Sequence, residues 1–428
     1  MTVGNAWMPP AGDEFRLNLE IDGRHDELAL AQLPHGGFAA AWDGPAGDET
    51  GVFLRRFDAD GTPLGPEIQA DTPNGRDNYE PSVAALGADG LLVSWTEWNG
   101  IFSPDASIMA QRFDGDGAAL GPVFQVNAFD GAQQWFPESA RLADGAAVVV
   151  WPTRDVTFDK SGSGLSARIV EPDGTFRTAE FPVTATTEGD QGDPGVAALE
   201  DGSFVVAWNS FGQDGDRNGI FLQRFAADGT RLGDETQVNQ TTLRDQNSPA
   251  ITALEGGGFA VAWETRHEDA RLAPQTYYRL YDADGDPLTG ERPAMDAAFD
   301  ESSSKPTIAG LADGGFVIGY VSNPVLPNST DIFGQRFDAA GDPLGPRFEV
   351  LGAPGGFQDV PQAVRVSDDA ALIAWFDGAR GNDLYAQVFA PALGAEGPFS
   401  DAGEAVVLGD AGERVAVLGG DDTVTGGA

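Results

Sequence analysis

A short acidic segment with the sequence DGDRNGI has the clearest spacing of metal-ligand residue types in this chain. Side-chain oxygens at Asp214, Asp216 and Asn218, followed by a turn glycine and the backbone carbonyl of Ile220, suit a hard cation such as calcium. The bidentate glutamate of an EF-hand is missing, because Phe225 stands at position 12 of the segment. The spacing therefore predicts a short calcium loop, and the alternative is a polar loop that binds nothing.

Catalytic side chains are harder to recognise. The chain has three histidines, and none is spaced as a metal-ligand pair. His267, with Arg271 and Tyr277 nearby, could supply a base, a cation and an acid for β-elimination on a uronate polysaccharide. The alternative is a solvated loop histidine. Paired carboxylates for glycoside hydrolysis cannot be picked out among 67 acidic residues.

Several aromatic residues lie outside the regular core positions and are candidates for ligand binding. Aromatic rings in loops can stack on sugars or anchor a protein partner. The alternative is that they cover the apolar ends of strands. The candidates for ligand binding are Trp98, Phe102, Trp135 and Phe136.

A repeat that runs through the whole chain must position these residues. An aromatic residue ends an apolar run in each of seven copies, at spacings of 53 to 57 residues. A proline stands 14 residues before this aromatic in six copies, and Leu28 takes its place in the first. The aromatic residues are Trp42, Trp95, Trp151, Trp208, Trp263, Tyr320 and Trp375, and the prolines are Pro81, Pro137, Pro194, Pro249, Pro306 and Pro361.

Each copy contains four candidate strands separated by turn residues. In the fourth copy they cover residues 196–199, 204–208, 220–225 and about 235–238. Asp-Gly and Gly-Gly pairs between them suit tight hairpins, and no stretch has helical periodicity. Seven such copies predict an all-β fold, a seven-bladed β-propeller of four-stranded blades over residues 14–400 with a period of about 55 residues. A β-solenoid is the alternative.

The two ends of the chain also have predictable roles. The segment 14–19 has the pattern of a fourth strand, so we expect it to complete the last blade and close the ring, which removes exposed strand edges. After residue 401 the composition shifts to glycine and short apolar pairs. Residues 403–428 therefore predict a short β-roll-like segment behind the propeller, with Asp422 as a metal ligand.

An arginine recurs near the end of the third strand of several copies. A repeated arginine on a strand predicts an ion pair with an acidic residue of a neighbouring blade, and a ring that binds anions is the alternative. The residues are Arg56, Arg112, Arg224 and Arg336.

Composition excludes several classes of function. A net charge of −42 argues against nucleic acid and against anionic membrane surfaces as partners. It fits a protein that is soluble in salt or that binds calcium. The absence of cysteine excludes disulfides and thiolate chemistry. No signal peptide or long apolar run is present, which predicts either a cytoplasmic protein or export without a cleaved N-terminal signal, and no insertion into a membrane.

The repeat phrase resembles a known family. Residues 202–208 with 213–225, residues 335–345 and residues 55–68 are similar to repeat regions of large bacterial RTX (repeats-in-toxin) proteins. This resemblance implies type I secretion through an uncleaved signal, an extracellular location and calcium binding. Residues 403–428 are similar to the beginning of the family's calcium-binding repeats. They depart from it because no full nonapeptide array follows, which implies a truncated or vestigial calcium roll.

Three functions agree with these observations. The first is an extracellular, calcium-binding interaction or adhesion module that binds glycans or cell-surface ligands through a propeller face. The second is a polysaccharide-active enzyme, either a lyase or a glycoside hydrolase, with its site in the central funnel. The third is a structural spacer of a larger secreted protein. Acidic, basic and aromatic side chains that converge at one mouth of the funnel would favour the enzyme, and a flat face with aromatics would favour binding.

Calcium is expected to raise the melting midpoint of the full chain and of a chain that ends at Ser400, because a ligand that binds only the folded state stabilises it. An Asp214→Ala/Asp216→Ala double variant should show no such shift. Thermal melts with calcium and with chelator measure the effect. If the midpoint of each protein is the same with calcium as with chelator, neither predicted metal site binds calcium.

Overall fold

Seven four-stranded antiparallel sheets follow one another along the chain. The computed structural model describes residues 8–19, 23, 25–98, 106–128, 132–155, 161–266, 273–295, 302–322, 330–350, 357–390, 405–408 and 423–426. The innermost strand of each sheet contacts the innermost strand of the next, and the last sheet contacts the first. The sheets are thus the blades of a closed ring, which confirms the predicted seven-bladed β-propeller.

The first four blades have their strands in sequence order from the centre outwards. Blade 1 contains β2 (Asp26–Gln32), β3 (Phe38–Ala46), β4 (Glu49–Phe57) and β5 (Ile68–Gln69), and blade 2 contains β6 (Asp77–Leu86), β7 (Gly90–Trp98), β8 (Ala106–Phe113) and β9 (Phe124–Gln125). Blade 3 contains β10 (Glu138–Arg141), β11 (Ala147–Thr153), β12 (Gly164–Val170) and β13 (Phe181–Pro182). Blade 4 contains β14 (Gln191–Ala198), β15 (Phe204–Phe211), β16 (Asn218–Phe225) and β17 (Arg231–Gln237).

The last three blades follow the same order, except that the outermost strand of blade 7 comes from the beginning of the chain. Blade 5 contains β18 (Asp245–Ala253), β19 (Phe259–Arg266), β20 (Gln275–Tyr281) and β21 (Arg292–Pro293). Blade 6 contains β22 (Ser304–Gly310), β23 (Phe316–Ser322), β24 (Asp331–Phe337) and β25 (Pro343–Val350). Blade 7 contains β26 (Gln358–Arg365), β27 (Ala371–Asp377), β28 (Asp383–Phe389) and β1 (Phe15–Arg16), with a 3₁₀ turn at Gly378–Arg380.

The apolar core consists of seven separate layers, one between each pair of neighbouring blades. The aromatic residue on the second strand of each blade is buried and packs against the preceding blade. Trp208, for example, lies in one cluster with Val150 and Leu165 of blade 3. Trp42 of blade 1 lies in one cluster with Leu384 of blade 7, so the same packing closes the ring. The regular spacing of the aromatics in the sequence reflects this repeated contact.

As predicted, a strand from the beginning of the chain completes the last blade and closes the ring. Phe15 pairs with Ala386 and Arg16 pairs with Tyr385 in antiparallel register. Next to this pair the buried amide of Asn18 donates to Asp383 at 2.8 Å and accepts the backbone N–H of Leu384 at 3.0 Å.

The repeated arginines contact the neighbouring blade differently from the prediction, through backbone carbonyls and not through acidic side chains. The Nη1 atoms of Arg112 and Arg224 donate to backbone carbonyls in a turn of the following blade, Pro172 and Asp284, both at 2.7 Å. A carbonyl is present in every turn whatever its side chain, so a backbone acceptor can recur where an acidic side chain cannot. Only Arg336, through Asp313 of its own blade, and Arg224, through Asp201 of its own blade, form the ion pairs with carboxylates that are described for this group.

The acidic hairpin turns between the third and fourth strands are held by their first aspartate. In one turn Asp58 accepts the backbone N–H groups of Asp60 and Thr62 at 3.1 and 2.7 Å, and Asp114, Asp282 and Asp338 make the same pair of bonds. These aspartates are therefore turn residues, whose side chains replace a missing backbone partner.

The segment behind the propeller contains one parallel strand pair. β29 (Ala405–Leu408) pairs with β30 (Thr423–Gly426), with Ala405 opposite Thr423. The offset is 423 − 405 = 18 residues, the length of two nonapeptides. Parallel pairing at an offset of two nonapeptides is also the arrangement of a β-roll, which stays a prediction for residues 403–428.

Removal of residues 1–19 is expected to lower the melting midpoint and to cause concentration-dependent association. The outer edge of β28 would lose its partner, and an unpaired edge strand pairs readily with another chain. Thermal melts and light scattering over a range of concentrations measure both effects.

Asn239→Ala provides the control for this truncation. Asn239 accepts the N–H of Ile220 at 2.8 Å, as Asn18 does for Leu384, but within one blade. It should cost roughly 1–3 kcal/mol without any association. A truncated chain that stays monomeric with an unchanged midpoint would contradict the role assigned to β1.

Candidate functional site

The innermost strands of the seven blades line a central channel and run in the same direction. We call the face at which they begin the upper face and the face at which they end the lower face. Because the second strand of each blade is antiparallel to the first, the ends of β7, β15 and β19 also lie at the upper face. The calcium-loop segment, Trp98 and Trp135 therefore share one face with the channel mouth.

Each innermost strand has a left-handed residue near the upper mouth of the channel. It stands directly before the repeat proline, or before Leu28 in blade 1, and the pairing register shifts at this point, as between Tyr79 and Ser82. A non-glycine residue in this conformation costs on the order of 1 kcal/mol, and bulges of this kind redirect side chains beside active sites. The seven residues are Glu27, Glu80, Phe136, Asp193, Ser248, Lys305 and Val360, with φ between 33° and 57°.

The chemistry of this position varies from blade to blade although its backbone does not. The repeat therefore provides one backbone geometry near the channel mouth and carries six different residue types there. Three of these side chains are carboxylates, one is an aromatic ring and one is an amine. We call the seven residues the mouth ring.

Glu138 stands two residues after the mouth-ring residue of blade 3 and is exposed to the channel at the start of β10. The protein encircles its carboxyl group, and this burial, together with the negative charge of Glu27, raises the pKa of Glu138 to about 8. Glu27 belongs to blade 1, so the two carboxyl groups interact from blades that are not neighbours in the ring. Both residues lie at the start of innermost strands, at the upper mouth of the channel.

Glu80 fixes the backbone of the mouth-ring aromatic. Its Oε2 atom accepts the hydroxyl of Thr96 at 2.7 Å and the backbone N–H of Phe136 at 2.9 Å. Burial raises the pKa of Glu80 despite these two hydrogen bonds. The Phe136 ring is 43% exposed, so its backbone is held by blade 2 while its ring remains available to a ligand.

Asp193 supplies a further carboxyl group from blade 4. Its Oδ2 atom accepts the Asn209 amide at 2.8 Å. Burial raises the pKa of Asp193, while the Asn209 hydrogen bond and the charge of Arg266 act in the opposite direction. Arg266 itself binds the buried carboxylate of Glu264, so its charge is largely compensated.

The positive charge of the mouth-ring amine is also balanced by a carboxylate. Lys305 Nζ lies 2.8 and 2.7 Å from the two carboxylate oxygens of Asp359 in the next blade. The backbone N–H of Lys305 donates to Glu264 at 3.1 Å, in the way that Phe136 is held by Glu80. The mouth of the channel thus has carboxyl groups on blades 1 to 4. The cations described above, on blades 5 and 6, are each paired with a carboxylate of the protein.

The aromatic candidates lie at the upper face where the structure describes them. Phe136 belongs to the mouth ring itself. Trp98 is half-buried at the end of β7, and Trp135 is half-buried with the Arg154 guanidinium 5.4 Å from its ring centre. Phe102 lies outside the described residues. Phe211, at the end of β15, is 54% exposed at the same face.

One of the three predicted elimination residues, Tyr277, lies in the described part of the chain. Tyr277 lies on β20, the third strand of blade 5, and its ring stacks on Trp263 with centroids 6.3 Å apart. Its ring is therefore part of the packing between strands and away from the mouth ring. His267 and Arg271 lie outside the described residues.

The predicted calcium ligands each have a different hydrogen-bond partner. Asp214 accepts the Asn239 amide at 3.1 Å, and Asp216 accepts the backbone N–H of Arg244 at 3.0 Å. The Asn218 amide donates to Asn247 at 2.8 Å, and Ile220 lies on β16.

No group of three or more His, Asp or Glu residues in the described ranges is arranged to hold a metal. Asp422 lies outside those ranges. Calcium binding stays a prediction for the melts described above.

The carboxyl groups of the mouth ring were not identified from the sequence. The position directly before each landmark proline carries them, and it could have been found by aligning the seven copies.

Comparisons with known proteins support the fold. No protein-family model matches the chain, and no curated protein matches its sequence. A protein of unknown function from Dyadobacter fermentans superimposes with a TM-score of 0.53 at 11% identity, covering 75% of this chain and 97% of that one.

Two enzymes have TM-scores and sequence identities in the same range. An α-L-arabinofuranosidase from Fusarium graminearum, in complex with an iminosugar inhibitor, has a TM-score of 0.52 and 13% identity, and the match covers 81% of this chain and 99% of the enzyme. A PL25 ulvan lyase has a TM-score of 0.56 and 10% identity, covering 92% and 96% of the two chains. At such low identity the likeness extends to the propeller fold alone. No helix among the described residues is long and apolar enough to cross a membrane.

The stability of the chain is expected to fall as the pH rises from about 4.5 to about 8, relative to that of a Glu138→Gln variant. The pKa of Glu138 rises from 4.5 to about 8 on folding, so the folded chain holds this proton more tightly than the unfolded chain does. The contribution is complete below the lower value and is lost as the pH passes the upper one. Melting midpoints of both proteins across this range measure the difference, with Glu349→Gln on the outer strand β25 as a control. A difference that does not change with pH would contradict the raised pKa.

Proposed function

We propose that this chain is a carbohydrate-active enzyme, a glycoside hydrolase, whose site is the upper mouth of the channel. The observation that carries the proposal is the position of Glu138, which is exposed at the start of β10 near further carboxyl groups and whose pKa is raised to about 8 by burial. Glycoside hydrolysis needs a protonated carboxylic acid and a second, ionised carboxylate on either side of the scissile bond. A proton donor works best when its pKa is near the working pH.

In this proposal Glu138 donates its proton to the glycosidic oxygen as the bond to the leaving sugar breaks. Asp193, on the adjacent blade, is the second carboxylate; burial raises its pKa, and the hydrogen bond from the Asn209 amide acts against that rise. Asp193 either attacks the anomeric carbon itself or activates a water molecule that attacks this carbon. Phe136 provides a surface on which a sugar ring stacks, and Glu80 positions Phe136 through its backbone N–H.

Charge favours a hydrolase over a lyase. An eliminating enzyme must bind an anionic uronate, and the mouth ring has Glu27, Glu80 and Asp193 on one side. The cations of blades 5 and 6 are already paired with Glu264 and Asp359. Because the similar structures are an arabinofuranosidase and an ulvan lyase, both classes of polysaccharide should be tested.

A binding module without catalysis is the second candidate, because the exposed rings of Phe136 and Phe211 lie at the same face. It keeps the extracellular, calcium-dependent adhesion function that the sequence suggests. It differs from the hydrolase in a simple way, since it binds a glycan without cleaving it.

Glu138→Gln is expected to lower kcat about 10²–10⁴-fold on the polysaccharide that the wild type cleaves, with glycan affinity retained, because the variant keeps the side-chain shape but has no proton to donate. Release of reducing ends from linear arabinan and from ulvan measures hydrolysis, and ultraviolet absorbance of an unsaturated product measures elimination. Asp193→Asn should also lose activity, and Glu349→Gln should not. Full activity of the Glu138→Gln variant would refute the proposed proton donor, and wild-type binding without cleavage would favour the binding module.

A further inference from the structure

The lower end of the channel has a second set of equivalent residues, four positions after the repeat proline of each innermost strand. Two of the seven are arginines and one is a glutamine, and the other four are alanine or glycine. The small residues leave the channel open around the long polar ones. The seven residues are Gln32, Ala85, Arg141, Ala198, Ala253, Gly310 and Arg365.

The three polar residues of this set line one cavity. It has a volume of about 420 Å³ and contains Gln32, Arg141 and Arg365 in its wall, together with apolar and small residues of β2, β6 and β10. None of the described residues in its wall is acidic. A neighbouring cavity of about 370 Å³ shares Gln32 and Arg365 and contains Glu200 and Glu255. The positive charges therefore dominate the first cavity only.

Contacts with other blades hold both guanidinium groups. Arg141 Nη2 donates to the backbone carbonyl of Gly87 in blade 2 at 3.1 Å. Arg365 Nη1 lies 3.3 Å from Glu255 Oε2, and this contact joins blade 7 to blade 5 past the intervening blade 6. The side chain of Arg365 must therefore extend over the opening of the channel. Each guanidinium has five N–H donors, so these contacts leave others to face the cavity.

We propose that this cavity binds a small oxyanion, with Arg141 and Arg365 as its charged donors and the Gln32 amide as a neutral one. Guanidinium groups bind planar and tetrahedral oxyanions through paired hydrogen bonds. The concave wall shields the anion from water and from the negative charge of the outer surface. The site is separate from the mouth ring, because it lies at the opposite end of the innermost strands.

The test uses the full chain with sodium sulfate and with sodium phosphate, each compared with sodium chloride at equal ionic strength. Melting midpoints and isothermal titration should show saturable binding of both oxyanions by the wild type. Arg141→Gln and Arg365→Gln should each raise the dissociation constant at least tenfold, and the double variant should show no saturable binding. Arg154→Gln, which removes one positive charge from the upper face, is the matched control and should bind as the wild type does.

A second variant separates the loss of binding from damage to the fold. Glu255→Gln removes the partner of Arg365 and keeps both guanidinium groups, so it should bind the oxyanion at least as tightly as the wild type. A midpoint that rises without saturation and equally in all variants would be a general salt effect and would overturn the proposal. Weaker binding by Glu255→Gln would also overturn it. Because the measurement is binding at the lower end, its outcome does not depend on any activity at the mouth ring.

Discussion

The packing of one aromatic side chain per blade against the preceding blade is the interaction on which the ring depends. Each landmark aromatic is at most 1% exposed, and each lies in its own apolar cluster between two blades. A buried aromatic of this size removes roughly 150–250 Å² from water. No blade can bury its aromatic alone, because the partner surface belongs to its neighbour. Stability thus requires a closed ring, and β1 completes it by joining the two ends of the chain.

This arrangement leaves the inner edge of every blade without a strand partner. The edge faces the channel, and a proline is tolerated there because its missing N–H costs no ladder bond. The left-handed residue before the proline coincides with a shift of the strand register near the mouth. Residues at this position and at the one four residues after the proline also contact the neighbouring blade, as Lys305 does through Asp359 and Ala85 does in the core between blades 1 and 2. The charge at each position nevertheless differs from blade to blade.

The sequence was sufficient for the architecture because the packing constraint repeats seven times. The aromatic and proline spacings predicted the blades, and the likeness of residues 14–19 to a fourth strand predicted the closure. The mouth ring was missed because its carboxylates are three among 67 acidic residues. The pKa of a carboxyl group shifts when residues that are distant in sequence lie near it in the folded chain, as Glu27 does for Glu138. The arginine ion pairs were wrong for a related reason, since a backbone acceptor has no side chain to recognise.

The two ends of the channel differ in charge because each is built from a different repeat position. At the upper mouth, Glu27 and Glu138 interact from blades 1 and 3, and the nearby cations are already bound to Glu264 and Asp359. A carboxyl group in such surroundings keeps its proton at neutral pH, which is the state that a proton donor needs. At the lower end the arginines share a cavity whose described wall has no acid. A symmetric frame can thus hold acid chemistry at one end and anion recognition at the other, because the repeat fixes where side chains point and leaves their identity free.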